Sequence, residues 1–160
     1  MNKTPATIWR NPLHFIAFGF GSGAAPVAPG TFGTLVGLLL FLLLQPLPWI
    51  SYLLVVGVAF AVGIQICGKT AADLGVHDHS GIVWDEIVGF WVTMIAAPQG
   101  WPWLITGFIL FRLFDIAKPW PIGWADKQVS GGLGIMLDDL LAGIYACIGI
   151  QLIAYLQGAG

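Results

Sequence analysis

Charge is the scarcest feature of this 160-residue chain: only 9% of its residues are Asp, Glu, Lys or Arg. Soluble domains carry about 25%. A chain that is 58% apolar and so poor in charge cannot cover a water-facing surface. The net charge of −2 supplies no basic field, which excludes nucleic acid as a partner. Cysteine is almost as scarce. Cys67 and Cys147 each sit inside an apolar run, with neither CxxC nor zinc-ligand spacing, and read as small apolar fillers. The first ten residues are polar, without the leading apolar core of a cleavable signal peptide. No long linker or low-complexity stretch divides residues 1–160, so a single domain is expected.

What the chain has instead is long apolar runs. Residues 32–45, 50–68, 81–97, 101–116 and 136–157 each read as a membrane span, punctuated by Pro46, Pro48, Pro98, Gly100, Pro119 and Pro121. Residues 12–21 are apolar but too short to cross, and read as an interfacial or re-entrant helix. Residues 22–34 form a Gly/Pro/Ser/Thr loop. Backbone polar groups in lipid must pair internally, and no barrel alternation is present. The expected fold is therefore all-α: a compact polytopic membrane bundle of about five spans plus the short amino-terminal helix.

Five spans alternating in direction put the charges on one side. Lys3, Arg10, Lys69, Arg112, Lys118 and Lys127 all fall there, as do all eight acids. The opposite loops, QPLPW and APQGWPW, carry no charge. The positive-inside rule makes the charged face cytoplasmic, with Trp49, Trp101 and Trp103 as the aromatic belt of the other face.

Several of these charges lie at span ends, where ionised groups are costly and mark function. GIVWDEIVG (81–89) and GIMLDDLLAG (134–143) each place an acidic pair four residues after a glycine. Each has a small residue one turn later (Gly89, or Ala142 with Gly143), which lets a second helix approach. Asp85, Glu86, Asp138 and Asp139 would then converge and need neutralising. An all-oxygen set suits Mg²⁺ or Mn²⁺. The competing reading is helix capping by Asp85 and Asp138 together with pairing to Arg112, Lys118 or Lys69.

Three further motifs adjoin them. In HDHS, His77, Asp78 and His79 suit proton transfer to a leaving oxygen or metal ligation, or form a plain polar loop. In FRLFDIAKPWP, Arg112 and Asp115 share a helix face, either as a salt bridge or with Arg112 gripping a phosphate and Lys118 nearby. The GFGSG…APGT loop offers amides and the hydroxyls of Ser22, Thr31 and Thr34 as an anion cradle. Carboxylates for a metal beside cationic groups for a phosphate, at headgroup depth, suit chemistry on a lipid phosphate.

GFGSG (19–23), PGTFG (29–33), GVHDHSGIVWDEIVGFW (75–91), FRLFDIAKPWPI (111–122) and GGLGIMLDDLLAG (131–143) together resemble the phosphatidylglycerophosphatase A family, in order and over almost the whole chain from about residue 12. The resemblance implies a helical protein of the bacterial inner membrane and Mg²⁺-dependent hydrolysis of phosphatidylglycerol phosphate to phosphatidylglycerol. It does not divide the roles among the acids. From the residues themselves, the expected metal ligands are Asp85, Glu86, Asp138 and Asp139, holding a metal-activated water, with attack by one Asp as nucleophile as the alternative. His77, Asp78, His79 and Asp115 form the expected catalytic group, and Ser22, Thr31, Arg112 and Lys118 the expected phosphate contacts.

Rival chemistries find little purchase. The residue six after Cys67 is Asp73 and six after Cys147 is Ile153, so a Cys-x5-Arg nucleophile loop is missing. DxDx(T/V), vanadium-type phosphatase and CDP-alcohol phosphotransferase signatures are missing too. A cation- or proton-coupled transporter also uses intramembrane acids, but would place charge at the midplane and both mouths.

Overall fold

The computed structural model describes residues 5–158 of the chain and, among them, only helices and connecting turns. Lys3 lies outside that range. Seven α-helices follow in order: α1 (Pro12–Ala17), α2 (Pro29–Leu44), α3 (Trp49–Leu74), α4 (Trp84–Thr93), α5 (Trp101–Ala117), α6 (Ile122–Gln128) and α7 (Gly131–Leu156). The all-helical expectation holds.

The boundaries follow local chemistry. Proline occupies the first turn of α2 and of α5, where a missing amide costs nothing. Gly75 ends α3 in the left-handed region at φ 67°, and the Val76 amide reaches back 3.1 Å to the Ala71 carbonyl, closing the helix end. Lys118 ends α5 at φ 42°, followed at once by Pro119.

Helix lengths refine the span count. α3 and α7, with 26 residues each, are long and apolar enough to cross a membrane. At 1.5 Å per residue they reach about 39 Å, beyond a hydrocarbon core of about 30 Å. α2 and α5 have 16 and 17 residues. The run read as a third span, 81–97, is helical only over the ten residues of α4. Seven consecutive residues of α4, Ile87 to Thr93, are buried, so protein covers it on every side. Beyond it the chain turns irregular, with Ala96 at φ 53°. Gln151 of α7 donates to the carbonyls of Ile95 (3.2 Å) and Ala96 (2.9 Å), so the freed backbone stays satisfied.

The stretch 12–21 also divides. α1 stops at Ala17, and a 3₁₀ segment follows over Gly19–Ala24, with Phe20 and Gly21 left-handed at φ 59° and 93°. His14 of α1 is buried and sits 3.2 Å from both Asp73 of α3 and Thr7, docking this arm on the end of α3.

α4 is the axle of the bundle. Side chains from its neighbours and its own indoles fix it: Trp91 Nε1 donates to Gly37 O (2.9 Å), Trp84 Nε1 to Ala59 O (3.1 Å), and Tyr52 Oη to Trp91 O (2.6 Å). Each such buried bond contributes about 1 kcal/mol. Against α7 the contact is backbone to backbone. A Cβ on Gly143 would lie 2.5 Å from Gly89 O, and one on Gly89 would lie 2.8 Å from Asp139 O. The small residues of the two similar segments thus serve as expected, bringing the acid-bearing helices together.

Candidate active site

A pocket of about 280 Å³ opens where the start of α2, the loop before α4, the first turn of α4, the end of α5 and the third turn of α7 meet. Its lining gathers Asp78, His79, Asp85, Glu86, Arg112, Asp115, Lys118, Asp138 and Asp139. These come from four separate stretches of sequence. Three expected residues do not line it. His77 is exposed in the loop. Ser22 turns its hydroxyl to its own turn, donating to Gly19 O at 2.8 Å. Thr31 follows the lining residue Gly30 without joining it. Thr34 likewise donates within α2, to Gly30 O at 2.9 Å.

The acids sort into two groups. Asp85, Glu86 and Asp139 each bring a carboxylate oxygen within 4.8 Å of the other two. Asp85 and Glu86 lie in the first turn of α4, where the helix dipole favours negative charge, yet neither caps it by a side-chain bond. Two of the oxygens, Asp85 Oδ1 and Glu86 Oε2, are buried without a hydrogen-bond partner. Buried anionic oxygens left unpaired are costly unless a cation meets them. This donor set, hard, anionic and all oxygen, fits Mg²⁺ or Mn²⁺.

Asp138 belongs to the other group. It lies well inside α7, seven residues past the helix start, and so caps nothing. Lys118 Nζ donates to it at 2.7 Å and to Asp126 of α6 at 2.6 Å. Burial alone would pull the Lys118 ammonium down, but its two carboxylate partners outweigh that and hold it above its usual value. Lys118 therefore ties α5, α6 and α7 together beside the three-acid cluster. Asp126 was not among the expected site residues, because nothing local in IGWADKQ marks it as a partner of α7.

Arg112 spans the floor. Its Nη1 donates to Asp115 Oδ2 and lies 3.8 Å from Glu86 Oε1, while its Nε is buried without a partner. The salt-bridge reading of Arg112–Asp115 is thus realised, and donors remain on the guanidinium for an anion. Gly30 explains the PGT turn: a Cβ there would lie 2.2 Å from Glu86 Oε1 and 3.1 Å from Arg112 Nη1. Only a bare backbone leaves both side chains in place.

His79 is buried and packs against Phe18, ring centroids 5.3 Å apart. Its Nδ1 accepts the Gly81 amide at 3.0 Å, so the neutral ring carries its proton on Nε2. Burial pulls its pKa below the usual value, against the opposing pull of Asp78. At neutral pH the ring is an uncharged Nε2–H donor.

A model of the family described as Phosphatidylglycerophosphatase A matches residues 15–154. A relative of that name from Escherichia coli is 50% identical over 135 residues, covering 84% of this chain and 78% of its own length. Another of that name from Haemophilus influenzae is 47% identical over 147 residues, covering 91% and 90%. A Bacteroides thetaiotaomicron relative, provisionally named a phosphatidylinositol-3-phosphatase, is 40% identical over 152 residues. No solved structure matches the chain. With nearly its full length matched, and with the acidic, HDHS and FRLFD segments all inside the matched region, the chain is a phosphatase that belongs to the phosphatidylglycerophosphatase A family.

Proposed function

We propose that this chain hydrolyses phosphatidylglycerol phosphate to phosphatidylglycerol and inorganic phosphate, dependent on Mg²⁺, at the cytoplasmic face of a bacterial inner membrane. The observation that carries the reading is the three-acid cluster with two buried, unpartnered oxygens beside an arginine that keeps free donors. The relatives' names supply the substrate.

Asp85, Glu86 and Asp139 would hold the metal; Asp138, engaged by Lys118, would stand beside it. Bound Mg²⁺ supplies charge neutralisation and Lewis-acid polarisation for the transferring phosphoryl group. Arg112 binds the phosphate through its remaining N–H groups, held rigid by Asp115 and Glu86. Water attacks phosphorus, the P–O bond to the glycerol breaks, and the proton given up by the attacking water ends on the leaving oxygen. His79 Nε2–H would donate a hydrogen bond to that oxygen as negative charge develops on it, keeping its own proton, with Asp78 at the rim next to it in sequence. Lys118 steadies Asp138 and adds positive charge at the pocket wall.

The same reading gives the topology. α2, α3, α5 and α7 would cross the bilayer, with α4 enclosed among them as a fifth, partial span, and the basic residues would keep the pocket end in the cytoplasm. The test is phosphate release from phosphatidylglycerol phosphate by the purified protein in detergent, with Mg²⁺ and with EDTA. Release that EDTA stops is the expected result; no release with Mg²⁺ present would sink the assignment.

A further inference from the structure

The GFGSG turn, read from the sequence as an anion cradle, lines no part of the acidic pocket. It closes on itself: the Gly21 and Gly23 amides both donate to the Phe18 carbonyl at 3.0 Å, and the Ala25 amide to Ser22 O at 3.1 Å. What the turn touches is the HDHS loop. Phe18, fully buried, packs its ring against that of His79 at an interplanar angle of 48°. The Ala17 carbonyl accepts the Val83 amide at 2.9 Å. Gly23 and Gly81 meet so closely that a Cβ on Gly23 would lie 1.9 Å from Gly81 O, and one on Gly81 would lie 2.3 Å from the Phe18 ring. Side chains at these two positions would push turn and loop apart.

Gly81 is also the residue whose amide His79 Nδ1 accepts at 3.0 Å. The turn therefore fixes both things that orient the imidazole: the ring it packs on and the donor it bonds to. Turned over about its Cβ–Cγ bond, the imidazole would offer Gly81 a carbon in place of Nδ1, losing that bond, and Nε2 would change sides. The arm that carries the turn is itself anchored. His14, buried in α1, sits 3.2 Å from Asp73 at the end of α3, and Lys69 holds the same carboxylate from 3.2 Å. A chain of contacts thus runs from α3 through α1 and Phe18 to His79, and none of its members ahead of His79 lines the pocket.

We infer that the amino-terminal arm is a brace for His79, with Phe18 as its positioning residue: Phe18 and the Gly23–Gly81 contact hold the ring so that Nε2–H faces the pocket, while the arm itself stays outside it. This rests on the proposed phosphatase reading, in which Nε2–H meets the leaving oxygen, and adds what aims it.

The test is a double-mutant cycle on phosphate release from phosphatidylglycerol phosphate by the purified protein with Mg²⁺. Phe18→Leu keeps the site apolar and removes the ring face; Phe18→Met fills the same space and serves as the second variant should the first not fold. Either should lower kcat about tenfold, since a small misplacement of a reacting contact is costly, with KM changed less than about twofold. His79→Asn keeps an acceptor for the Gly81 amide and removes the Nε2 donor, and should lower kcat about 10²-fold. In the His79→Asn background Phe18→Leu should cost less than about twofold more. A merely structural Phe18 would cost the same in both backgrounds, and that result, or no fall from either Phe18 variant, would overturn the brace. So would His79→Asn with wild-type turnover. Nitrogen-15 spectra of histidine-labelled protein give a second readout that needs no turnover. The wild type should hold His79 in one Nε2–H tautomer, and Phe18→Leu should mix in the other; an unmixed ring in Phe18→Leu would also overturn the brace. Wild-type protein that releases no phosphate would defeat the phosphatase reading instead, and the spectra would still decide the brace.

Discussion

The two acidic pairs look alike in sequence and are used differently in the fold. Asp85 and Glu86 open α4, a ten-residue helix enclosed by the bundle. Asp138 and Asp139 sit inside α7, a 26-residue helix with one side to the outside. Adjacent residues on a helix point about 100° apart. Where α4 begins, both carboxylates still reach the same space. Inside α7 the divergence is enforced: Asp139 turns to the cluster and Asp138 to Lys118. A repeated motif therefore yields three clustered acids that could hold a cation and a fourth paired with an ammonium.

The sharpest way to break that comparison is to remove one charge from each kind of acid. Asp139→Asn should lower turnover roughly 10²–10³-fold, the scale seen when one electrostatic contact to a transition state is lost. It should also abolish Mn²⁺ binding, followed by electron paramagnetic resonance on protein that still folds. Asp138→Asn should keep Mn²⁺ binding and lose about tenfold in turnover, since it disturbs the wall and not the cluster. If both variants lose the metal equally, the division of the acids is wrong.

Gly30→Ala probes the same cluster from α2. The new methyl would overlap Glu86 Oε1 and crowd Arg112, so one of them must move. An overpacked site of this kind costs about 1–3 kcal/mol in stability. The matching kinetic signature is a raised KM for the lipid along with a reduced kcat, because the displaced groups would serve phosphate and metal alike on the proposed reading. An unchanged enzyme would mean that Glu86 and Arg112 have slack the structure does not show.

The Lys118 bridge separates into a strong half and a weak half. Lys118→Met leaves Asp138 with no cation in a mostly enclosed place, and should cost about 3 kcal/mol, read as a lowered Tm in detergent. Asp126 is more exposed, and Asp126→Asn should cost at most about 1 kcal/mol. Equal losses would show that α6 docks through this bridge as a unit.

These distinctions were only partly legible in the sequence. The apolar runs marked α2, α3, α5 and α7, closely at the ends that proline punctuates and short at the end of α3 and the start of α7, where the helices run on past the apolar stretch. The run 81–97 read too long, since hydrophobicity alone cannot tell a helix from the irregular stretch at Ile95–Ala96, which Gln151 satisfies from 55 residues away. α6 passed as a loop, being seven residues long without an apolar face of its own. At the site, residue types carried the chemistry well: nine expected residues line one pocket. What sequence spacing does not carry is tertiary pairing. Lys118 read either as a phosphate contact or as an ion-pair partner, and its two carboxylate partners come from other helices.

The HDHS histidines offer the finest comparison, with the smallest expected effects. His77 is exposed and His79 buried, two residues apart. His77→Ala should therefore change turnover by less than about twofold, as surface substitutions do. His79 should instead leave a mark on stability against pH. Its folded pKa lies below the usual value of about 6.5. Above that pH both folded and unfolded chains hold it neutral, and its contribution to stability is fully present. As pH falls below 6.5 the unfolded chain takes up the proton first, and stability is lost until pH passes the folded pKa. Protonation on Nδ1 also breaks the bond from the Gly81 amide. The wild type should thus lose more stability between neutral and mildly acid pH than His79→Gln, which cannot titrate, while His77→Ala should track the wild type. Parallel curves for wild type and His79→Gln would place the ring in water, and with it remove the argument for a neutral Nε2–H donor at the leaving oxygen.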